Sequence, residues 1–169
     1  MDHKASDTAQ GSSLSDQAYA PFETAGGILV ERASEALSYE TAISDAVDVV
    51  NEHRGAVFSS NYEYPGRYTR WDTAITKPPV EIEGKGRSLL ISSLNERGLP
   101  ILAIIDEALD GEPHIKSKTS SDTQIRIEII DQDGNFDEEQ RTRAPSVFSV
   151  LRRLVDVFSS QEDGQLGLF

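Results

Sequence analysis

The chain has 169 residues, enough for one domain with a hydrophobic core together with short tails. Its formal net charge of −13 argues against sequence-independent binding to nucleic acid or to an anionic membrane surface, because both need clustered Lys and Arg. The lack of Cys excludes disulfides, thiolate nucleophiles and Cys-based zinc sites. No signal-peptide pattern and no apolar run of membrane length occurs, so we expect a cytoplasmic location and no membrane partner.

The first part of the chain predicts a tail, a strand and a helix. Residues 1–22 are polar without apolar periodicity, which predicts a disordered tail before a domain at 23–169. The β-branched run at 27–32 predicts a first strand. Ser38 then stands where it can cap a helix whose apolar residues recur every three or four positions, and Gly55 stands where that helix would stop.

Residues 55–72 are the most distinctive stretch. They contain the single Trp, three of the five Tyr, two Arg and a pair of adjacent Ser. The apolar start followed by polar and aromatic residues predicts a buried strand that opens into a loop. We interpret this stretch as a ligand-binding corner.

The second half predicts further strands and a last helix. Alternation at 80–83 and 124–130 predicts half-exposed strands, and the apolar runs at 88–92 and 101–105 predict a hairpin whose turn uses a positive φ at Gly98. An amphipathic helix follows Pro145 and Ser146. Together these elements predict an α+β fold with a mainly antiparallel sheet and helices packed on one face.

The residues suited to metal binding lack a metal-binding pattern. The acidic segment 131–139 is superficially like a calcium loop, but Gly134 is its fourth residue, whereas an EF-hand loop needs Gly at the sixth position. His3, His53 and His114 are far apart in the sequence. We therefore predict no metal site, a turn at 131–139, and histidines at the surface or at caps.

Catalytic motifs are also missing. Phosphate-loop, dinucleotide-binding and hydrolase-elbow patterns do not occur. Ser59 and Ser60 have no His nearby in the sequence to act as a base, and Glu63 and Asp72 are more typical of ion-pair partners than of an acid/base pair. We assign no catalytic residue.

Several segments together carry a family resemblance. Residues 55–75 closely resemble the N-terminal region of anthranilate synthase component I, above all the bacterial form that is fused to its glutamine amidotransferase. The resemblance covers roughly residues 25–169, and further matching segments fall in the order that this family has: from 26–28 through the first helix, then 86–89, 95–98, 147–152 and 162–168.

This resemblance implies a function in tryptophan biosynthesis. Enzymes of the family are lyases that convert chorismate and glutamine or ammonia to anthranilate and pyruvate with Mg²⁺. Their catalytic and Mg²⁺-binding residues lie in a C-terminal chorismate-binding domain that this chain does not contain. The apolar residues at 166–169 agree with an apparent truncation before that domain. The implied partners are the chorismate-binding domain and the amidotransferase of the same enzyme.

The resemblance also implies an effector site for feedback inhibition by tryptophan. The family's strand-end motif Leu-Leu-Glu-Ser corresponds here to residues 57–60, so its Ser is kept at Ser60 and its Glu is replaced by Ser59. By this correspondence Val57, Ser60 and Asn61 would line the tryptophan pocket, and Arg67 would order its edge.

Two other functions stay open from the sequence. The chain could be a free-standing tryptophan-binding or docking module, or the N-terminal part of a related chorismate enzyme such as an aminodeoxychorismate synthase. The resemblance favours a regulatory region that is not catalytic alone.

Overall fold

The computed structural model describes residues 17–18, 20–59, 72–131 and 145–161. The three described helices are α1 (Tyr39–Glu52), α2 (Gly98–Ala108) and α3 (Val147–Phe158). The first strands are β1 (Gln17–Ala18), β2 (Phe22–Glu23), β3 (Leu29–Val30), β4 (Ala33–Ser34) and β5 (Gly55–Ser59). The later strands are β6 (Asp72–Thr76), β7 (Val80–Lys85), β8 (Ser88–Ser93), β9 (Ile115–Ser120) and β10 (Gln124–Ile129).

A four-stranded antiparallel sheet with the order β7-β8-β10-β9 forms the centre. Alternating residues of β8 and β10 are buried, and the register places Ile91 opposite Ile125 and Leu89 opposite Ile127. Side chains that face each other across neighbouring strands pack together, so these apolar pairs define one inner face. The strands predicted at 80–83, 88–92 and 124–130 are confirmed.

Helices α2 and α3 cover this inner face. The core unites residues from the sheet with both helices: Leu89, Ile91, Leu102, Ile105, Leu109, Ile125, Ile127, Ile129, Val150, Leu154, Val157 and Phe158. The pairs of described strands are all antiparallel. The predicted α+β class with a mainly antiparallel sheet is therefore confirmed, as is the last helix after Pro145 and Ser146.

The predicted hairpin partner at 101–105 is wrong, because this segment belongs to α2. Buried residues recur at Gly98, Leu102, Ile105 and Leu109, which is the spacing of a helix face. Gly98 does not have a positive φ either. It is a buried first residue of the helix, where an added Cβ would collide with the carbonyl oxygen of Pro79.

The helix predicted after Ser38 is confirmed as α1, which packs on a separate two-stranded ribbon made of β5 and β6. The helix ends before Gly55, at the C-cap residue His53, and Gly55 begins β5. The prediction of a buried strand here is wrong. Val57 is only half-buried and Phe58 is exposed, because the described part of the chain covers only part of this ribbon.

Two short antiparallel pairs precede α1. Strand β1 pairs with β4, and β2 pairs with β3, which is the short strand found within the run predicted at 27–32. Residues 1–16 and 19 of the predicted tail lie outside the described residues, as do residues 162–169. The boundary between tail and domain stays a prediction.

Candidate functional site

The end of the β5–β6 ribbon forms a polar corner. The register places Ser59 directly opposite Asp72, and Ser59 Oγ donates a hydrogen bond of 2.5 Å to Asp72 Oδ1. These residues are the last of β5 and the first of β6. The hydrogen bond therefore fixes the two points from which residues 60–71 leave and re-enter the ribbon.

Val57 is the one predicted effector residue that the structure describes. It is half-buried in β5 and lies opposite Ala74. Because side chains alternate along a strand, Gly55, Val57 and Ser59 share one side of the ribbon. That side faces α1, since a Cβ added at Gly55 would lie 2.7 Å from Val50 Cγ1. The corner thus combines an apolar side chain with a hydroxyl group on one side.

The other predicted effector residues cannot be placed. Ser60, Asn61 and Arg67 lie outside the described residues, as do all the Tyr residues of the stretch and its Trp. Their predicted roles stay predictions. Val57 lies two residues before Ser59 in β5, and its partner Ala74 lies two residues after Asp72 in β6. Ser59 and Asp72 are the two residues that bound the corner.

The hydrogen bond between Ser59 and Asp72 was not predicted from the sequence. The interpretation of Asp72 as an ion-pair partner of the nearby arginines stays a prediction, because Arg67 and Arg70 lie outside the described residues. The signal that could have revealed the bond is a hydroxyl residue and a carboxylate residue at the two ends of one loop, which become neighbours when the flanking strands pair.

The opposite side of the ribbon is apolar and exposed. The register places Ala56 opposite Ile75 and Phe58 opposite Thr73, so Phe58 and Ile75 lie diagonally on the same side. Their side chains are 62% and 50% exposed. The corner is therefore the polar end of a ribbon that has an uncovered apolar face in the described part of the chain.

A second polar cluster joins β9 to α2. Lys118 Nζ lies 2.9 Å from Asp106 Oδ1 and 2.5 Å from Asp110 Oδ1, and Ser120 Oγ donates to Asp106 Oδ1. The hydrogen bonds from Ser120 and then from Lys118 hold the pKa of Asp106 below its ordinary value, against the effect of partial burial. Burial lowers the pKa of Lys118, but its bonds to Asp110 and Asp106 outweigh this and raise it. These groups satisfy one another, so we interpret the cluster as structural.

The described histidines and acidic residues do not form a metal site. His53 is exposed beyond the end of α1, and His114 Nδ1 lies 2.7 Å from Glu112 Oε1. Asp131 pairs with Arg87, while the rest of the segment 131–139 lies outside the described residues. Among the residues that the structure describes, no group of three or more His, Asp or Glu could hold a metal ion.

None of the described helices is both long enough and apolar enough to cross a bilayer.

Fold and corner together define an α+β domain with a polar ribbon end and, in its described part, no catalytic constellation. The chain is similar to an anthranilate synthase from Azospirillum brasilense, with 36% identity over 148 residues. This match covers 88% of the chain and 20% of the relative, so the chain spans about a fifth of that enzyme's length. The resemblance to anthranilate synthase inferred from the sequence is thereby confirmed.

Comparison with family models and with solved structures adds no relative. No family model matches the chain, and no solved structure matches it.

Proposed function

We propose that this chain is the N-terminal regulatory region of an anthranilate synthase and carries part of its tryptophan feedback site. The observation that supports the proposal most is the similarity to the Azospirillum brasilense enzyme, which extends over most of the chain but only a fifth of the relative. A chain that matches so small a part of an enzyme is suited to supply one region of it. The complete enzyme would convert chorismate and glutamine or ammonia to anthranilate and pyruvate.

The ribbon corner supports the regulatory part of the proposal. Val57 offers apolar surface beside the hydroxyl group of Ser59 at the end of β5, and Ser60 follows directly in the sequence. An amino acid effector with an apolar side chain needs both kinds of contact. In this proposal Ser60 and Asn61 bind the polar groups of tryptophan, Val57 contacts its indole ring, and Arg67 orders the edge of the pocket.

Ser59 stands at the position where the family's motif has a glutamate. Its hydroxyl group is engaged by Asp72. The carboxylate that the family has within the motif is thus supplied here by the facing strand, one hydrogen bond away. We infer that Asp72 takes over the acidic character of this position in the effector pocket.

The proposal assigns the chemical step to other parts of the enzyme. The chorismate-binding domain would supply the catalytic residues and the Mg²⁺ site, and the glutamine amidotransferase would supply ammonia. The described residues of this chain include no set of ligands for a metal ion, so no step is assigned to Mg²⁺ on this chain.

Two measurements on the isolated chain test the proposal. With chorismate, ammonia and Mg²⁺ we expect no anthranilate fluorescence, because the catalytic residues lie elsewhere. In calorimetry with tryptophan we expect no detectable heat of binding at millimolar concentration, because the pocket is incomplete. Turnover would show that the chain is itself catalytic, and sub-millimolar binding would show a free-standing tryptophan sensor; either result contradicts the proposal.

A further inference from the structure

A cleft lies at the end of the ribbon opposite the polar corner. It has a volume of about 890 Å³ and lies between the end of α1, the connection from β6 to β7 and the turn before α2. Its lining includes three cationic residues, Arg54, Lys77 and Arg97, and two apolar residues, Pro78 and Leu94.

Hydrogen bonds hold the turn on which Arg97 is placed. Arg97 Nη2 donates to the Lys77 carbonyl oxygen at 2.7 Å, and the Arg97 backbone N–H donates to Asn95 Oδ1 at 3.1 Å. Asn95 Nδ2 in turn donates to the Pro78 carbonyl oxygen at 3.1 Å. The turn before α2 is therefore tied to the connection from β6 to β7, and the guanidinium group is positioned before any ligand arrives.

Arg54 is partly neutralised from outside the cleft. Its Nε lies 3.2 Å from Glu81 Oε1, and Glu81 is not part of the lining. Within the residues that the structure describes, the two terminal nitrogens of Arg54 form no ion pair. Lys77 and Arg97 form no ion pair within the part of the chain that the structure describes.

Lys77 has an unfavourable backbone conformation. Its φ is +50°, and it is the one non-glycine residue with a positive φ in the described ranges. The left-handed region is sterically disfavoured for residues with a Cβ, and a following proline restricts Lys77 further. A glycine would adopt this conformation without strain. A lysine thus stands at a position whose backbone conformation is easier for glycine, and its exposed side chain is part of the cleft lining.

The carboxylates of the cleft limit how it can attract a ligand. Glu52 and Glu96 also line it and reduce its net charge. A long-range positive field is therefore weak, and recognition depends on direct contacts with Lys77 and Arg97. The half-buried side chains of Pro78 and Leu94 add an apolar surface beside them.

We propose that this cleft binds a small organic anion that carries two acidic groups next to an apolar moiety. The guanidinium group of Arg97 binds one carboxylate or phosphate in its fork, and the ammonium group of Lys77 binds the other. The apolar moiety lies on Pro78 and Leu94. The volume falls within the range of about 300–1,000 Å³ that is typical of small-molecule sites. This inference does not depend on the proposed tryptophan site, which lies at the other end of the ribbon.

Phthalate, a benzene ring with two adjacent carboxylates, is a suitable probe, and benzoate, with one carboxylate, is its matched control. In two-dimensional ¹H–¹⁵N spectra of the full chain at low salt, phthalate should shift the amides of Lys77 and of residues 94–97. Because one charged contact is lost, we expect benzoate to bind about tenfold more weakly.

Three variants test which residues bind the probe. Lys77→Gly and Arg97→Gln should each weaken phthalate binding about tenfold, whereas Lys116→Gln, at an exposed lysine of β9, should not change it. Lys77→Gly should also raise the melting temperature, because it relieves the left-handed backbone, so its loss of binding cannot result from unfolding. Unchanged phthalate binding in both cleft variants, equal affinity for benzoate, or shifts confined to amides outside the cleft would overturn the proposal.

Discussion

Lys118 joins the outer strand of the sheet to α2. Its side chain is only 17% exposed, and its ammonium group contacts the Asp106 carboxylate, the Asp106 carbonyl oxygen at 2.6 Å and the Asp110 carboxylate. These contacts satisfy all the donors of a lysine that the sheet would otherwise bury at a cost. The inner face of β9 is therefore held by charge at Lys118 as well as by apolar packing of Ile115, whereas the inner faces of β8 and β10 are held by apolar packing.

Replacing this lysine tests how much the cluster stabilises the fold. We expect Lys118→Met to lower the free energy of unfolding by about 1–2 kcal/mol, because the two carboxylates lose their partner but remain partly exposed to water. Urea unfolding measures the change. Lys116→Met is the matched control on the same strand, and its exposed side chain should change the stability by less than about 0.5 kcal/mol. Equal effects of the two substitutions would contradict the role of Lys118.

The same cluster predicts a pH dependence. The lowered pKa of Asp106 stabilises the fold above its unfolded value of about 3.9, and this contribution is lost as the pH falls through the folded pKa. The raised pKa of Lys118 stabilises the fold below about pH 10.4, and this contribution is lost as the pH rises through the folded pKa. The stability difference between wild type and Lys118→Met should thus be largest between about pH 5 and 10. A difference that is constant from pH 2 to 11 would refute this account.

For single side chains, the sequence predicts apolar contacts better than polar ones. The alternation in β10 predicts which of its residues are buried, because burial of a sheet face requires that pattern. Strand β9 was not predicted. The residues on its inner side include Lys118 and Ser120, whose polar side chains are typical of exposed positions. Only the structure shows that they contact Asp106 of α2. Hydrogen bonds between separate elements, such as Ser59 with Asp72, depend on the register and leave no local pattern.

Helix α2 depends on a close approach at its first residue. A Cβ at Gly98 would lie 2.5 Å from Ser93 Oγ and would also collide with the backbone of Pro79. The absence of a side chain lets the helix start directly against the connection to β7. The sequence prediction failed here because a short apolar run fits a buried strand as well as a helix. The spacing of Gly98, Leu102 and Ile105 would have favoured the helix.

We therefore expect Gly98→Ala to destabilise the protein, although replacing glycine by alanine in a helix usually stabilises it. Alanine in place of glycine normally stabilises a helix by about 1 kcal/mol. Here the steric conflict should destabilise the protein by about 1–3 kcal/mol. Thermal unfolding followed by circular dichroism measures the effect, and Ala103→Gly at an exposed position of α2 gives the ordinary cost of glycine for comparison. A stabilised Gly98→Ala variant would show that this helix end has room for a side chain.

Arg87 contacts the residues that lie directly before and directly after residues 132–144. Its Nη1 donates to the Ile130 carbonyl oxygen at 2.9 Å and to the Pro145 carbonyl oxygen at 3.1 Å, and its Nε lies 2.9 Å from Asp131 Oδ1. One guanidinium group thus positions the end of β10 beside the start of α3. The resemblance included residues 86–89 but did not reveal this role, because the partners are more than 40 residues away along the chain.

We expect Arg87→Gln to loosen the junction between the sheet and α3. Loss of three polar contacts should lower the free energy of unfolding by about 1–3 kcal/mol and should speed proteolytic cleavage between residues 130 and 146. Urea unfolding and limited proteolysis with mass mapping measure the two effects. Arg126→Gln, at an exposed position of β10, is the control. If both variants are cleaved at the same rate, Arg87 does not hold this junction.

Two parts of the described structure differ in how well their apolar residues are buried. The sheet, α2 and α3 share one core, whereas the β5–β6 ribbon has an exposed apolar side at Phe58 and Ile75. In the compact part, the sequence predicted β7, β8, β10 and α3, because core packing produces strong periodicity, but it assigned a strand within α2 and missed β9. It predicted a buried β5 wrongly, because apolar residues in a strand do not show by themselves whether another element covers it. Such a face agrees with our proposal that this chain is one region of a larger enzyme.

In our proposal this chain supplies a feedback region to an anthranilate synthase. The most direct test replaces the matching fifth of the Azospirillum brasilense enzyme by this chain and measures anthranilate formation against tryptophan concentration. We predict an active chimera that tryptophan inhibits, and a tryptophan concentration for half-inhibition that rises about tenfold in Ser60→Ala, because one hydrogen bond to the effector is lost. Ser117→Ala, at an exposed position of β9, should leave the inhibition unchanged. A folded chimera without anthranilate synthesis, or one inhibited equally with and without the Ser60 hydroxyl group, would contradict the account.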